Sequence, residues 1–165
     1  MTVRLRLVLA LAAMMLVAAC GADTTTETQS SRAETTLQAV TLDGDSFDFA
    51  SLSGQPTVLW FWAPWCTICR AEAPDVAKVA QRLGADVRVL GIPGRGEEPA
   101  MRQFVADTGL GDMTHVVDAS GEIWSTFGVV EQPAFAFIDG AGEIEVVNGT
   151  MSAEEFETAA RALLS

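Results

Sequence analysis

The amino-acid sequence predicts an α/β fold in which helices flank a mixed central sheet. Short apolar runs typical of buried strands alternate along the chain with stretches of helical periodicity. An Asp-Gly turn early in this region and a glycine-rich turn near its end each separate two strand-like segments. The 165 residues, 49% hydrophobic and 19% charged, suit one globular domain whose core needs no dense disulfide network.

The first predicted elements are a β-hairpin, a buried strand and a helix. Residues 36–42 and 46–49 alternate apolar and polar side chains around an Asp-Gly turn at residues 43–45, which predicts the hairpin. Residues 56–61 form an apolar run typical of a strand buried on both faces. Residues 67–83 follow helical spacing, with an apolar face made of Val76, Val79, Ala80 and Leu83.

A second strand and a second helix follow. Residues 87–92 predict another buried strand, after which Pro93-Gly94-Arg95-Gly96 breaks the chain. Pro99 then opens a helix that Gly109 ends. The residues on its apolar face are Met101, Phe104, Val105 and Thr108.

The C-terminal part of the chain predicts three short strands and two helices. Residues 115–117 form a strand, and a short helix follows over residues 122–127. Strands at residues 134–138 and 144–148 form a hairpin around Gly140-Ala141-Gly142. A capping box made by Ser152 and Glu155 begins the last helix, whose buried side chains are Phe156, Ala159, Ala160 and Leu163.

The residues that carry chemistry are Cys66 and Cys69, which stand directly after a buried strand and at the first turn of a helix. Three residues make nearly one helical turn, so the two sulfurs can approach to disulfide distance. The amides of a helix N-terminus favour an anion, so we expect Cys66 to have a pKa below the value of about 8.5 of a free cysteine. Cys66 is therefore the predicted nucleophile, and the more shielded Cys69 resolves the mixed disulfide.

Two other interpretations of the cysteine pair are weaker. A zinc site needs four ligands, but the chain has only one further cysteine, Cys20, and one histidine, His115. A purely structural disulfide closing so small a loop constrains the unfolded chain little. Of the nearby aromatic residues, we expect Trp60 to lie in the core and Trp62 and Trp65 to flank an exposed site.

The N-terminal segment predicts export and membrane anchoring. Residues 1–19 combine two arginines with an apolar run too short to span a bilayer, as in a signal peptide. The segment ends in Val17-Ala18-Ala19-Cys20, which resembles a bacterial lipobox and makes Cys20 the predicted lipidation site. An ordinary secretory signal is the alternative. Residues 20–36 then form a polar tether, and residues 37–165 form the folded domain.

The charge of the chain excludes one class of partner. Asp and Glu outnumber Lys and Arg by 22 to 10, giving a net charge of −12. Binding of nucleic acid or anionic lipid driven by charge is therefore not expected.

The sequence resembles the TlpA/ResA/DsbE class of thioredoxin-like proteins, within the redoxin and AhpC/TSA superfamily. The resemblance rests on residues 62–74 around the cysteines and continues through residues 117–122, 127–129 and 132–139. It covers nearly everything from residue 37 onward. Within the class, the chain is most similar to secreted DsbE/DsbF-like proteins of actinobacteria.

This resemblance implies a thioredoxin fold with an N-terminal β-hairpin extension and a strand-helix insertion. It also implies that Pro133 is a cis-proline facing the cysteine pair. A cis bond there would leave backbone groups near Gln132 free to pair with an extended substrate segment. Trp65 and Gln132 are accordingly the predicted substrate-binding residues, beside the catalytic Cys66, Cys69 and Pro133.

The chain also departs from its relatives. Trp60 stands where cytoplasmic thioredoxins carry a buried aspartate, so the usual internal proton acceptor is missing. Glu72 and Glu131 are the nearest carboxylates in the sequence and are candidates to replace it, although each is more often a solvated residue. The dipeptide Thr67-Ile68 between the cysteines leaves the redox direction open.

We therefore expect an extracytoplasmic thiol-disulfide oxidoreductase with no bound cofactor, lipid-anchored to the outer face of the cell membrane or, alternatively, secreted. Its partners would be exported protein thiols or disulfides and a membrane or extracytoplasmic redox partner. Oxidation of exported proteins is favoured because such compartments lack the cytosolic reducing pool. The alternatives are a ResA-type reductant of cytochrome c maturation, a thiol peroxidase and, from the binding class, a Sco-type copper chaperone.

Overall fold

A computed structural model describes residues 37–165. In that region seven strands form one mixed sheet in the order β2-β1-β5-β4-β3-β6-β7. The strands are β1 (Gln38–Thr41), β2 (Ser46–Asp48), β3 (Thr57–Trp62), β4 (Arg88–Pro93), β5 (Thr114–Val117), β6 (Ala134–Ile138) and β7 (Ile144–Asn148). The helices are α1 (Thr67–Leu83), α2 (Glu98–Thr108), α3 (Glu122–Thr126) and α4 (Ala153–Ala162), with a 3₁₀ turn at Phe49–Leu52.

Strand β3 lies at the centre of the structure, and all six of its residues are buried. It pairs in parallel with β4 and antiparallel with β6. Successive side chains of a strand point to opposite faces of the sheet. The side chains of β3 accordingly divide between two cores, with Val58, Trp60 and Trp62 in one and Leu59 and Phe61 in the other.

The first core lies under helices α1, α2 and α4. The second lies under α3 and the N-terminal hairpin. Both faces of the central strands are therefore buried, as their apolar runs predicted, and different helices and turns cover each face.

The N-terminal hairpin is confirmed, with β1 and β2 antiparallel and Gln38 opposite Asp48. Its connection to the sheet is a finding of the structure, because β1 pairs with β5 and so extends the same sheet. The segment α2-β5-α3 lies between β4 and β6 in the chain and supplies the insertion expected there.

Local signals set several element ends. Gly109 adopts a left-handed backbone with φ of 73° and ends α2 as predicted. Ser152 and Glu155 form the expected capping box at the start of α4.

The predicted signal peptide, Cys20 and the tether lie outside the described residues. Between residues 37 and 165, no helix has the length and apolar character that crossing a membrane requires.

Candidate active site

Cys66 lies in the loop between β3 and α1, directly before the first residue of the helix. Its backbone is extended, with φ of −76° and ψ of 110°, and it is the N-cap residue of the helix. The backbone N–H of Cys69 donates to Cys66 Sγ at 3.0 Å, and the backbone N–H of Arg70 donates to the carbonyl of Cys66 at 3.1 Å. The sulfur of Cys66 thus occupies the place where a helix N-terminus binds an anion.

The two cysteines form a disulfide, with their Cα atoms 5.3 Å apart. They differ in burial, because Cys66 is 6% exposed and Cys69 is fully buried. Of the two residues, Cys66 is therefore the one that solvent reaches.

Pro133 lies beside the cysteine loop. The bond between Gln132 and Pro133 is cis, and Pro133 is buried while Gln132 is half-buried. Strand β6 begins directly afterwards, with Ala134 opposite Phe61 of β3. This register places the cis-proline next to the end of β3, from which the cysteine loop leaves.

The tryptophans near the site differ in exposure. Trp65 is 60% exposed, as expected for a residue that flanks the site. Trp62, for which the same was expected, is fully buried and stacks on Phe104 with ring centroids 4.3 Å apart. That expectation was wrong because Trp62 lies two residues after Trp60 in β3, and the alternation of a strand sends both indoles into the same core.

Large apolar side chains surround the mouth of the site. Besides Trp65, Ile68 is 53% exposed and Val130 is 72% exposed. Ile68 lies between the cysteines, and Val130 lies in the segment that leads to the cis-proline. The three side chains offer an apolar contact surface around the disulfide.

Of the two candidate carboxylates, Glu72 is the one that the fold brings toward the core. It lies one helical turn after Cys69 and accepts hydrogen bonds from Trp60 Nε1 at 3.1 Å and from the backbone N–H of Met151 at 3.0 Å. Burial raises the pKa of Glu72 above its ordinary value, and the hydrogen bonds from Met151 and Trp60 oppose that rise. Glu131, the other candidate, is exposed.

His115 is buried beside Trp62. Its Nε2 lies 3.2 Å from the carbonyl of Leu110, and its ring meets Trp62 edge to face at 5.6 Å. Burial lowers the pKa of His115, which favours the neutral imidazole. Over residues 37–165, no three histidine, cysteine or acidic side chains gather as a metal site requires.

Arg95 is a site residue that the sequence analysis missed. Trp65 Nε1 donates to its carbonyl at 2.7 Å, and its own guanidinium donates to Gln132 Oε1 at 2.8 Å and to the carbonyl of Val130 at 3.0 Å. The sequence marked this segment only as a break between strand and helix. The contacts join three loops that are far apart in the chain, so no local pattern reveals them.

Comparison with known proteins agrees with this geometry. The chain is 44% identical over 130 residues to the soluble secreted antigen MPT53 of Mycobacterium tuberculosis, covering 77% of this chain and 74% of that protein. A solved structure of MTB dsbF in mixed oxidized and reduced forms superposes with a TM-score of 0.75 at 44% identity, covering 78% of this chain and 95% of that one.

A further similar structure is the crystal structure of a secreted Mycobacterium tuberculosis disulfide oxidoreductase homologous to E. coli DsbE. It superposes with a TM-score of 0.73 at 41% identity and covers 81% of this chain and 98% of the other. These neighbours confirm the expected thioredoxin fold.

The AhpC/TSA family profile matches residues 31–147, which is well over half of the chain. The Cys66–Cys69 pair makes the protein a thiol-disulfide oxidoreductase. Together, the match and the structural neighbours show that the chain belongs to the AhpC/TSA family.

Proposed function

We propose that the protein oxidises the thiols of exported proteins outside the cytoplasm. The observation that carries the proposal is the position of Cys66 at the N-terminus of α1, where its sulfur accepts the N–H of Cys69 at 3.0 Å. A donor in this place stabilises a thiolate on Cys66, and a couple whose reduced form is stabilised is a stronger oxidant. The names of the similar secreted proteins support the compartment.

The charges near the cysteines support the same direction. Within the described chain, the first turn of α1 contains no acidic side chain that would oppose a thiolate on Cys66. Position 60, in the strand before the cysteines, holds a fully buried tryptophan instead of a carboxylate. The thiolate is thus favoured by the helix and not opposed from the strand.

The proposed reaction begins when a substrate thiolate attacks Sγ of Cys66. The Cys66–Cys69 bond breaks, a mixed disulfide forms, and the electron pair leaves on Cys69. A second substrate thiolate then attacks the substrate sulfur of the mixed disulfide and releases Cys66 as a thiolate. The substrate loses two electrons and two protons, and a disulfide-bearing redox partner takes up two electrons to restore the Cys66–Cys69 bond.

We assign proton transfer at Cys69 to Glu72. Residues three apart on a helix are neighbours, with Cβ atoms about 5–6 Å apart. Because its pKa is raised, Glu72 keeps its proton to a higher pH than an ordinary carboxyl group and can deliver it as Cys69 leaves. The exposed Glu131 has no comparable burial.

Substrate binding is assigned to the surface around the disulfide. Trp65 and Val130 offer apolar contact, and the cis bond between Gln132 and Pro133 directly precedes Ala134, which is opposite Phe61 near the end of β3. An extended peptide segment can pair with backbone groups near Gln132 while its side chains contact the aromatic surface. Such a surface suits unfolded protein segments, whose apolar side chains are accessible.

Membrane anchoring through Cys20 completes the proposal. It rests on the lipobox-like Val17-Ala18-Ala19-Cys20 and on the polar composition of residues 21–36, which would let the domain reorient above a membrane.

The reduction potential tests the proposed direction. We expect the Cys66–Cys69 couple to lie above the value of about −270 mV of thioredoxin, measured in glutathione buffers through the fluorescence of Trp65. Thr67→Glu adds an acid to the first turn of α1 and should lower the potential by about 10–30 mV, whereas Thr67→Gln should leave it unchanged. A wild-type potential at or below that of thioredoxin would reject the oxidant and favour a ResA-type reductant.

Replacing Cys66 and replacing Cys69 should affect thiol-disulfide exchange in different ways. Cys66→Ser should abolish exchange, because the accessible sulfur is lost. Cys69→Ser should accumulate mixed disulfides that form when Cys66 attacks a disulfide of a partner, because the neighbouring thiol that would release them is missing. Mass spectrometry of brief alkylation should find Cys66 modified first in the reduced protein, and faster alkylation of Cys69 would contradict the assignment.

Glu72 is expected to give the reaction a pH dependence. Because its pKa is raised, the ratio of wild-type to Glu72→Gln rate constants should be highest in acid, where Glu72 can donate a proton. The ratio should fall by about tenfold or more as the pH rises through that pKa. Stopped-flow oxidation of dithiothreitol measures it, with Glu131→Gln as the matched control. An equal change in both variants, or a flat ratio, would remove Glu72 from the mechanism.

Lipidation of Cys20 is tested by fractionation. Cys20→Ala should move the protein from the membrane to the soluble or secreted fraction, because stable anchoring depends on acyl chains on that residue. The variant should keep the redox activity of the wild-type domain. Unchanged membrane association would indicate an uncleaved signal segment or another anchor.

A further inference from the structure

Arg95 lies at the edge of the sheet where the cysteine loop leaves β3. It follows β4, whose last residue Pro93 is opposite Trp62, the last residue of β3. The two loops therefore start side by side and run together. Gly96, in the loop after β4, lies so close to the cysteine loop that an added Cβ would be 2.5 Å from Pro64 Cγ.

The backbone of Arg95 is in a disfavoured conformation. With φ of +55°, it is the one non-glycine residue with positive φ among residues 37–165. Its carbonyl accepts the indole N–H of Trp65 at 2.7 Å. A non-glycine residue persists in this region only where its surroundings hold it, and such residues concentrate at functional sites.

The side chain of Arg95 reaches in the other direction. One guanidinium nitrogen donates to Gln132 Oε1 at 2.8 Å and the other donates to the carbonyl of Val130 at 3.0 Å. The guanidinium lies 4.5 Å from the ring centroid of Trp124. Two donors in a fixed plane, stacked on an aromatic ring, are a geometry that lysine cannot reproduce.

Arg95 also lines an open cleft of about 420 Å³, together with Gly94, Trp124, Val129 and Val130. Through its backbone carbonyl, Arg95 holds the exposed Trp65, the residue that precedes Cys66. Through its guanidinium, it holds the segment that leads to the cis-proline, including the exposed Val130. Trp65 and residues 130–133 are the two walls of what we call the substrate groove.

We propose that Arg95 is a positioning residue that fixes the two walls of the substrate groove relative to Cys66, and so favours protein thiols over small thiols. The inference rests on the proposed roles of Cys66 and of the loop at Gln132 and Pro133. A small thiol needs only access to Sγ of Cys66. A protein segment must contact both walls at once, so its rate depends on their separation.

The test uses Arg95→Gly in the full-length protein. Glycine accepts the left-handed backbone and keeps the carbonyl that Trp65 requires, while the guanidinium is lost. The measured quantity is the rate constant for oxidising a reduced, unfolded protein such as ribonuclease A, divided by the rate constant for dithiothreitol. We expect this ratio to fall about tenfold. The loss should lie in KM and not in kcat, and the equilibrium with glutathione should stay at the wild-type position.

Two further variants distinguish the loss of the guanidinium hydrogen bonds from the loss of a positive charge. Arg95→Lys keeps the charge and should not restore the ratio, because an ammonium lacks the planar pair of nitrogens that binds the two acceptors while stacked on Trp124. Arg88→Ala removes a similar cation, stacked 5.7 Å from the ring centroid of Phe47 at the opposite end of β4, and should leave the ratio unchanged. Full rescue by lysine, or equal losses with both thiols in Arg95→Gly, would overturn the proposal.

Failure of the proposed function would look different. If the wild-type protein reduces protein disulfides and does not oxidise thiols, the proposed direction is wrong. The same comparison is then made with an oxidised protein and oxidised dithiothreitol as substrates. A tenfold fall of that ratio in Arg95→Gly would still support the positioning role, and an unchanged ratio would overturn it.

Discussion

The central position of β3 is the constraint on which the site depends. Because β3 pairs with β4 on one side and β6 on the other, the ends of three strands meet at one edge of the sheet. Trp62 lies opposite Pro93, and Phe61 lies opposite Ala134. The loops that carry Cys66, Arg95 and Pro133 therefore converge because of strand register, before any side chain contributes.

The same register decides what lies beneath the site. Gly91 of β4 faces Trp62 and His115, and an added Cβ would lie 2.9 Å from Trp62 Nε1 and 2.7 Å from His115 Cε1. The absence of a side chain at this position lets the indole lie flat against Phe104. A closely packed layer of rings thus supports the end of β3, and the cysteine loop leaves from a rigid base.

What could be predicted from the sequence follows from local chemistry. The turn at Gly44, the capping box at Ser152 and the cysteine pair each depend on neighbours within a few residues, and the structure contains all three. The burial of Trp62 was missed because the predicted strand ended at residue 61, whereas β3 includes residue 62 and its alternation places Trp62 on the same face as Trp60. Glu72 bonds to a residue 79 positions away, and Arg95 bonds to residues 30 to 37 positions away. Contacts of that kind exist only once the sheet has formed.

Trp60 occupies the place of the missing aspartate and binds a different carboxylate. It does not leave the core without a carboxylate, because its indole N–H donates to Glu72, which α1 supplies one turn after Cys69. In the proposed mechanism, burial keeps Glu72 protonated to a higher pH, and when it ionises the N–H groups of Trp60 and Met151 offset part of its charge. A carboxylate in β3 could donate and accept protons, but its negative charge would destabilise the thiolate of Cys66. Moving the acid onto the helix and binding it to an indole separates proton transfer at Cys69 from thiolate stability at Cys66, so that an oxidising couple can still have an internal acid.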